Sequence, residues 1–162
     1  MNHVKILSFI AGLALTTFIV TLLSLFYVQS SVLAVHKTNT TLVIGEEVGF
    51  NLDRDALHFG TLRYQGSATR ALTIPENNNY LIIKIEGNIT PFIFLDQEIT
   101  KNPGTITFRA INLEDIRGDF KGEITIYEVK KYSNVLESLL PGKRVKYKDY
   151  TPPPSVILNI ER

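Results

Sequence analysis

The chain contains no cysteine. That excludes a disulfide framework, a thiolate metal site and a cysteine nucleophile, so the fold must rest on its core alone. Net charge is almost absent as well: 17 Lys and Arg against 16 Asp and Glu leave +1, and no global field draws the chain to nucleic acid. It has no glycine-rich phosphate loop, no nucleophile elbow and no helix with paired histidines. Those short motifs would have marked nucleotide, hydrolase or zinc chemistry. Beyond residue 38 helical periodicity all but vanishes.

Charge is also missing locally, and this is the largest signal present. From Ile6 to Val28, ILSFIAGLALTTFIVTLLSLFYV, 23 residues pass without an ionisable acid or base. At about 1.5 Å per residue such a helix runs roughly 34 Å, against a hydrocarbon core of about 30 Å. Thr16, Thr17, Thr21 and Ser24 are tolerable there because helical hydroxyls can bond back to their own backbone. Phe26 and Tyr27 suit headgroup depth at the far end. Small or compact residues at Val32-Leu33-Ala34 suggest a cleavable signal peptide as the rival, but the apolar run exceeds the usual core of about 7–15 residues. A spanning anchor is therefore expected, with the lipid bilayer as partner to Ile6–Val28. Lys5 and the terminal amine precede the span, and Lys37 is the only base soon after it, so the remainder is expected outside the cytoplasm. Sequons at Asn39-Thr40-Thr41 and Asn88-Ile89-Thr90 agree with that side, although such short matches also arise by chance.

With 162 residues, 44% of them apolar, there is room for one domain of ordinary size. Residues 29–38 read as a polar connector, after which period-two alternation predicts strands. These are Thr41–Ile44, Glu47–Leu52, Ala68–Ile74, Tyr80–Gly87, Pro91–Leu95, Thr105–Ile111 and Phe120–Lys130. In the fourth, Leu81, Ile83 and Ile85 share one face; in the last, Phe120, Ile124 and Ile126 oppose Lys121, Glu123 and Thr125. Turn residues separate the runs, among them Pro75–Asn79 and Asn102-Pro103-Gly104. Strands apolar on one face bury it against a second sheet, which predicts a β-sandwich over residues 39–131.

Residues 132–162 differ. Ser133–Leu140 has room for two helical turns, with Asn134 as cap and Glu137 three residues on. Arg144–Tyr150 alternates like a strand; Pro152–Pro154 is a stiff spacer; Ser155–Ile160 is an apolar hexamer. That hexamer folds back on its own sheet edge or lends a strand to a neighbour, the latter being a route to a homo-oligomer. Lys143-Arg144-Val145-Lys146-Tyr147-Lys148 could meet anionic lipid or surface polymers, but edge lysines that discourage pairing explain it more simply.

The one cluster that invites a chemical reading is Asp53-Arg54-Asp55-Ala56-Leu57-His58. A calcium loop fails at once, because Leu57 occupies the third ligand position and no glycine follows in place. Zinc would want a second histidine at short spacing, whereas His36 and His3 lie far upstream. Asp53 and Asp55, two apart on one extended segment, point the same way and cannot flank a substrate. The cluster reads as a strand end followed by a turn at Leu57–Gly60. No catalytic, cofactor or metal residue is therefore assigned, and an enzyme using Asp53, Asp55 and His58 ranks last.

Phe59-Gly60, then Gly66 and Arg70 leading into Leu72 and Ile74, together with the closing run Gly118–Ile126, resemble the immunoglobulin-like β-sandwich related to the major sperm protein domain. The likeness is closest to forms found in small archaeal membrane-anchored surface proteins, and it covers roughly residues 40–130. Leu62-Arg63-Tyr64-Gln65 departs from the proline-rich approach to the glycine in that pattern. The resemblance implies an immunoglobulin-like antiparallel sandwich of about seven strands behind one N-terminal transmembrane helix, and a recognition scaffold without chemistry. Gly60 and Gly66 would serve turns or bulges. Gly122 would mark close approach by Phe59 or by a neighbouring backbone.

Overall fold

The computed structural model describes residues 2–45, 56–112 and 116–148. The Asp53-Arg54-Asp55 cluster, the expected strand Glu47–Leu52, the proline spacer and Ser155–Ile160 lie outside the described residues.

Helix α1 spans Asn2–Ser31. Its hydroxyls behave as the sequence predicts: Thr16, Thr17, Thr21 and Ser24 donate to the carbonyls four residues earlier at 2.8–2.9 Å. Apolar side chains are exposed all round it, Leu7 at 70% and Phe26 at 72% among them. Ile6–Ser31 is long and apolar enough to cross a membrane; the helix packs on the body near its C-terminal end, at Val28, and an apolar surface exposed all round favours a medium other than water.

The expected connector is not a linker. Gln29–Ser31 finish α1, and β1 runs from Val32 to Ile44 with no residue between helix and strand. Polar composition misleads here because His36, Thr38 and Thr40 occupy the inward face of a strand whose outward residues, Leu33 and Val35, are exposed.

Among the described residues eight strands form two sheets. They are β1, β2 (Ala56–Leu62), β3 (Ser67–Thr73), β4 (Tyr80–Gly87), β5 (Ile93–Leu95), β6 (Thr105–Ile111), β7 (Gly118–Val129) and β8 (Lys143–Arg144). The larger sheet has the order β2-β1-β7-β4-β8 and the smaller β3-β6-β5. Between them lies one apolar core that includes Leu42, Phe59, Ile83, Ile85, Phe108 and Ile124. The two faces are sandwich-like, as alternation requires.

Two local expectations fail in instructive ways. Leu57–Gly60, read as a turn, lies inside β2; Leu57 and Phe59 are buried and supply the alternation. β2 is also parallel to β1, so the sheet is not wholly antiparallel. Gly60, at φ 73°, provides the bulge there: Thr41 pairs His58, but Val43 pairs Thr61. Gly122 meets backbone and not Phe59, since a Cβ on it would lie 2.2 Å from the Glu86 carbonyl oxygen.

A second, smaller core closes the junction with α1. Helix α2, Asn134–Leu139, buries Leu136 and the adjoining Leu140 against Ile82, Tyr127 and Val129, with Val28 and Val32 packed alongside. Its N-cap is Ser133, whose Oγ accepts from the Leu136 amide, and not the expected Asn134. Of the stretch Arg144–Tyr150 expected as a strand, Arg144 pairs with β4 together with the preceding Lys143, Val145 N donates to the Ile83 carbonyl at 3.1 Å, and Tyr147 forms a bridge to Leu95.

Candidate functional site

His58, the titratable member of the sequence cluster among the described residues, lies half-buried on β2. Its Nδ1 meets the Thr41 hydroxyl at 2.6 Å, and its carbonyl accepts from Arg70 Nε at 2.7 Å. Both contacts are strand-to-strand ties. Among the described residues no group of three His, Asp or Glu side chains could hold a metal ion.

A different histidine sits in the best-organised polar constellation. On β7 the alternation that buries Ile124 and Ile126 also carries Glu128 inward, leaving it 4% exposed. Its Oε1 lies 2.7 Å from His36 Nε2; its Oε2 accepts from Asn77 Nδ2 at 2.7 Å and Asn79 Nδ2 at 2.9 Å. The loop that brings the asparagines is fixed in turn: Asn79 N donates to Asn77 Oδ1 at 3.0 Å, and Asn102 Nδ2 donates to the Pro75 carbonyl at 2.7 Å. The Asn79 amide, foremost, with His36 and Asn77, holds the Glu128 carboxyl below the usual glutamate range against the opposing cost of burial. Chemically this is an ionised acceptor saturated by donors. Among the described residues no hydroxyl is bonded to the His36 ring, so no nucleophile–base–orienter series is formed. Sequence reading missed the constellation because it placed His36 in a connector; the signal was Glu128 continuing the core-facing register of Ile124 and Ile126.

A cleft of about 330 Å³ lies between β4, the loop after β5 and the segment around β8. Its floor is apolar, with Leu81, Ile83, Ile99 and Val145. The wall carries a polar cluster in which the Tyr132 hydroxyl donates to Glu137 Oε2, while Arg144 Nη1 reaches Tyr132 at 3.2 Å and Glu137 at 3.4 Å. The bond to Glu137 and burial raise the Tyr132 phenol above its ordinary value, and Arg144 opposes them. The basic stretch thus divides: Arg144 turns to the acidic cluster, Lys146 and Tyr147 line the cleft, and Lys148 Nζ stands 5.0 Å over the Phe94 ring. An apolar floor with convergent polar groups suits binding of a side chain or small segment.

On the outer face of the larger sheet, Lys37 Nζ pairs with Glu123 Oε1 at 2.7 Å, which lowers the carboxyl and raises the ammonium from their ordinary values. Both sequon asparagines, Asn39 and Asn88, are exposed. Comparison with models of known protein families, with curated proteins and with solved structures finds no match to this chain.

Proposed function

We propose that this chain is a single-pass membrane protein that presents an immunoglobulin-like β-sandwich outside the cytoplasm, where it binds a protein or an envelope component and performs no catalysis. The observation that carries the reading is the continuity of an all-round apolar helix, α1, with the first core strand. A signal peptide awaiting removal has no reason to share a packed core with the mature domain, whereas Val28 and Val32 pack with α2 and β7. The immunoglobulin-like and major-sperm-protein assignment rests on the glycine and strand pattern named above. Its support is the division of the strands between two sheets over an apolar core. Placement outside the cytoplasm rests on Lys5 before the span, and the exposure of Asn39 and Asn88 is what glycosylation on that side would require. Proteolysis of intact cells tests the topology: digestion of residues 32–148 from outside supports it, and full protection rejects it.

A second reading, a filament or envelope-lattice subunit, is favoured by one specific feature. Among the described residues β1 pairs β2 only from Asn39 onward, so Val32–Thr38 has a strand on its β7 side alone. An unpaired edge accepts an added strand, and Ser155–Ile160 of a neighbour has the composition for it. Deleting residues 151–162 should then abolish assembly while leaving a folded protomer; unchanged assembly rejects this reading.

A further inference from the structure

At the point where α1 meets the sandwich, the surface carries a combination that water alone does not explain. The apolar run ends at Val28, and the last helical turn, to Ser31, is polar. Strand β7 returns to this same level, since Val129 pairs Val32 and the Lys130 amide donates to the Ser31 carbonyl at 3.2 Å. Lys130 and Lys131 are consequently held beside the final turn of α1, both exposed. With Tyr27, Ser30 and Ser133 they line an open recess of about 390 Å³. Neither ammonium has an ion-pair partner among the described residues. Next to the recess stands α2. Its inward residue Leu136 is fully buried, yet Val135 and Leu139, one turn apart on its other side, are 62% and 41% exposed.

We infer that this surface is a second membrane contact: the Lys130–Lys131 recess takes the phosphate of an anionic phospholipid headgroup, and α2 rests its exposed apolar residues at the bilayer interface. The inference depends on α1 spanning the membrane as proposed above. Given that, the depth follows from geometry. A hydrocarbon core of about 30 Å is filled by about 20 helical residues, so an apolar run from Ile6 to Val28 puts Ser30 and Ser31 among the headgroups. Residues bonded to them, Lys130 included, share that depth. Two ammonium groups among phosphates and hydroxyls at headgroup level match anionic lipid in charge, and an aliphatic pair beside them matches the acyl boundary. Because no linker intervenes between α1 and β1, the sandwich cannot swing the recess away from the bilayer. A partner protein covering α2 is the competing occupant. It is disfavoured because the patch is contiguous with the helix that lipid surrounds.

The chain has no tryptophan and no cysteine, which makes single-site reporters clean. Full-length protein is reconstituted into phosphatidylcholine vesicles with and without phosphatidylglycerol, with acyl chains brominated both near the headgroup, at the depth of position 135, and near the chain end, at the depth of position 18. Phe18→Trp reports the span, Val135→Trp reports α2, and Tyr64→Trp reports the far end of the sandwich. Expected are blue-shifted, quenched emission at positions 18 and 135, with stronger quenching at 135 when phosphatidylglycerol is present, and none at 64. Lys130→Ala with Lys131→Ala should lower the docking equilibrium about fivefold per lysine, leaving the Phe18→Trp signal unchanged. Quenching at 18 without quenching at 135 overturns the docking and keeps the anchor. Absence of quenching at 18 overturns both. Quenching at 135 that is indifferent to phosphatidylglycerol and to the lysine changes overturns the headgroup site. Leu139→Trp repeats the α2 measurement should the Val135 variant fold poorly.

Discussion

Replacing Glu128 is the sharpest way to ask whether the buried constellation holds the end of the sandwich next to α1 together. The wild-type carboxylate accepts from His36, Asn77 and Asn79 at 2.7–2.9 Å and is 4% exposed. Glu128→Ala strands three donors around a small cavity, and removing one partner of such a buried charged set costs about 3–5 kcal/mol. Glu128→Gln keeps shape and one acceptor oxygen but loses the charge. Hydrogen bonds to a charged group are worth about 1.5–3 kcal/mol against about 0.5–1.5 for neutral ones, so the glutamine variant should lose about 2 kcal/mol. The assay is urea unfolding of the full chain in detergent micelles, followed by near-ultraviolet circular dichroism of the body. Acidification adds a signed test. The folded carboxyl titrates below its ordinary value of 4.5. Its stabilisation is therefore complete above the unfolded value and is lost as pH falls through the folded one. The gap between wild type and Glu128→Gln should close progressively as pH falls below about 4.5. Variants matching wild type within about 0.5 kcal/mol, or a gap that widens in acid, would refute the reasoning.

Three other outcomes are expected. Gly122→Ala places a methyl group 2.2 Å from the Glu86 carbonyl oxygen and 2.6 Å from Ile89 Cγ2; overpacking of this kind costs about 1–3 kcal/mol or more, whereas Gly12→Ala, with nothing within 4 Å, should leave unfolding of the sandwich unchanged. In Lys37→Ala the Glu123 carboxyl, titrated by NMR, should rise toward its ordinary value, because the Lys37 bond is the leading cause of its depression. Ser133→Ala should destabilise α2 by about 0.5–1 kcal/mol, seen as faster amide exchange at Leu136, while Asn134→Ala should not.

How much of this could be read in the sequence follows the range of the physics involved. α1 is legible because an uninterrupted apolar run of this length reads as a helix long enough to cross a membrane, and α1 contains Ile6–Val28. β6 is legible because apolar and polar residues alternate along it, and β4 and β7 because apolar residues recur at every second position, Leu81, Ile83 and Ile85 in one and Phe120, Ile124 and Ile126 in the other, even though their second face is also buried over much of its length. β1 is hidden in its first half because a polar inner face, His36 to Thr40, meets polar partners at the end of the core and is not shielded by apolar ones. β2 is hidden because an aspartate pair, a lone histidine and Gly60 look like a turn, while in fact the glycine makes a bulge in a parallel pair. That pairing is long-range, Asn39 with Ala56, and no local pattern specifies it. The Glu128 constellation was half-visible: register places the carboxylate inward, but its donors come from a loop some 50 residues earlier and from β1, and only the closed sheets bring them together.

Amide hydrogen exchange of the full chain in bilayer nanodiscs tests the central claim most directly, because it reads every backbone position from the span into the sandwich. The account predicts no exchange through the core of α1 and protection that crosses Ser31–Val32 without a break, matching β7 at the positions of β1 that bond to it. Rapid exchange across residues 29–38, as in a free tether, or exchange within Ile6–Val28, would contradict it.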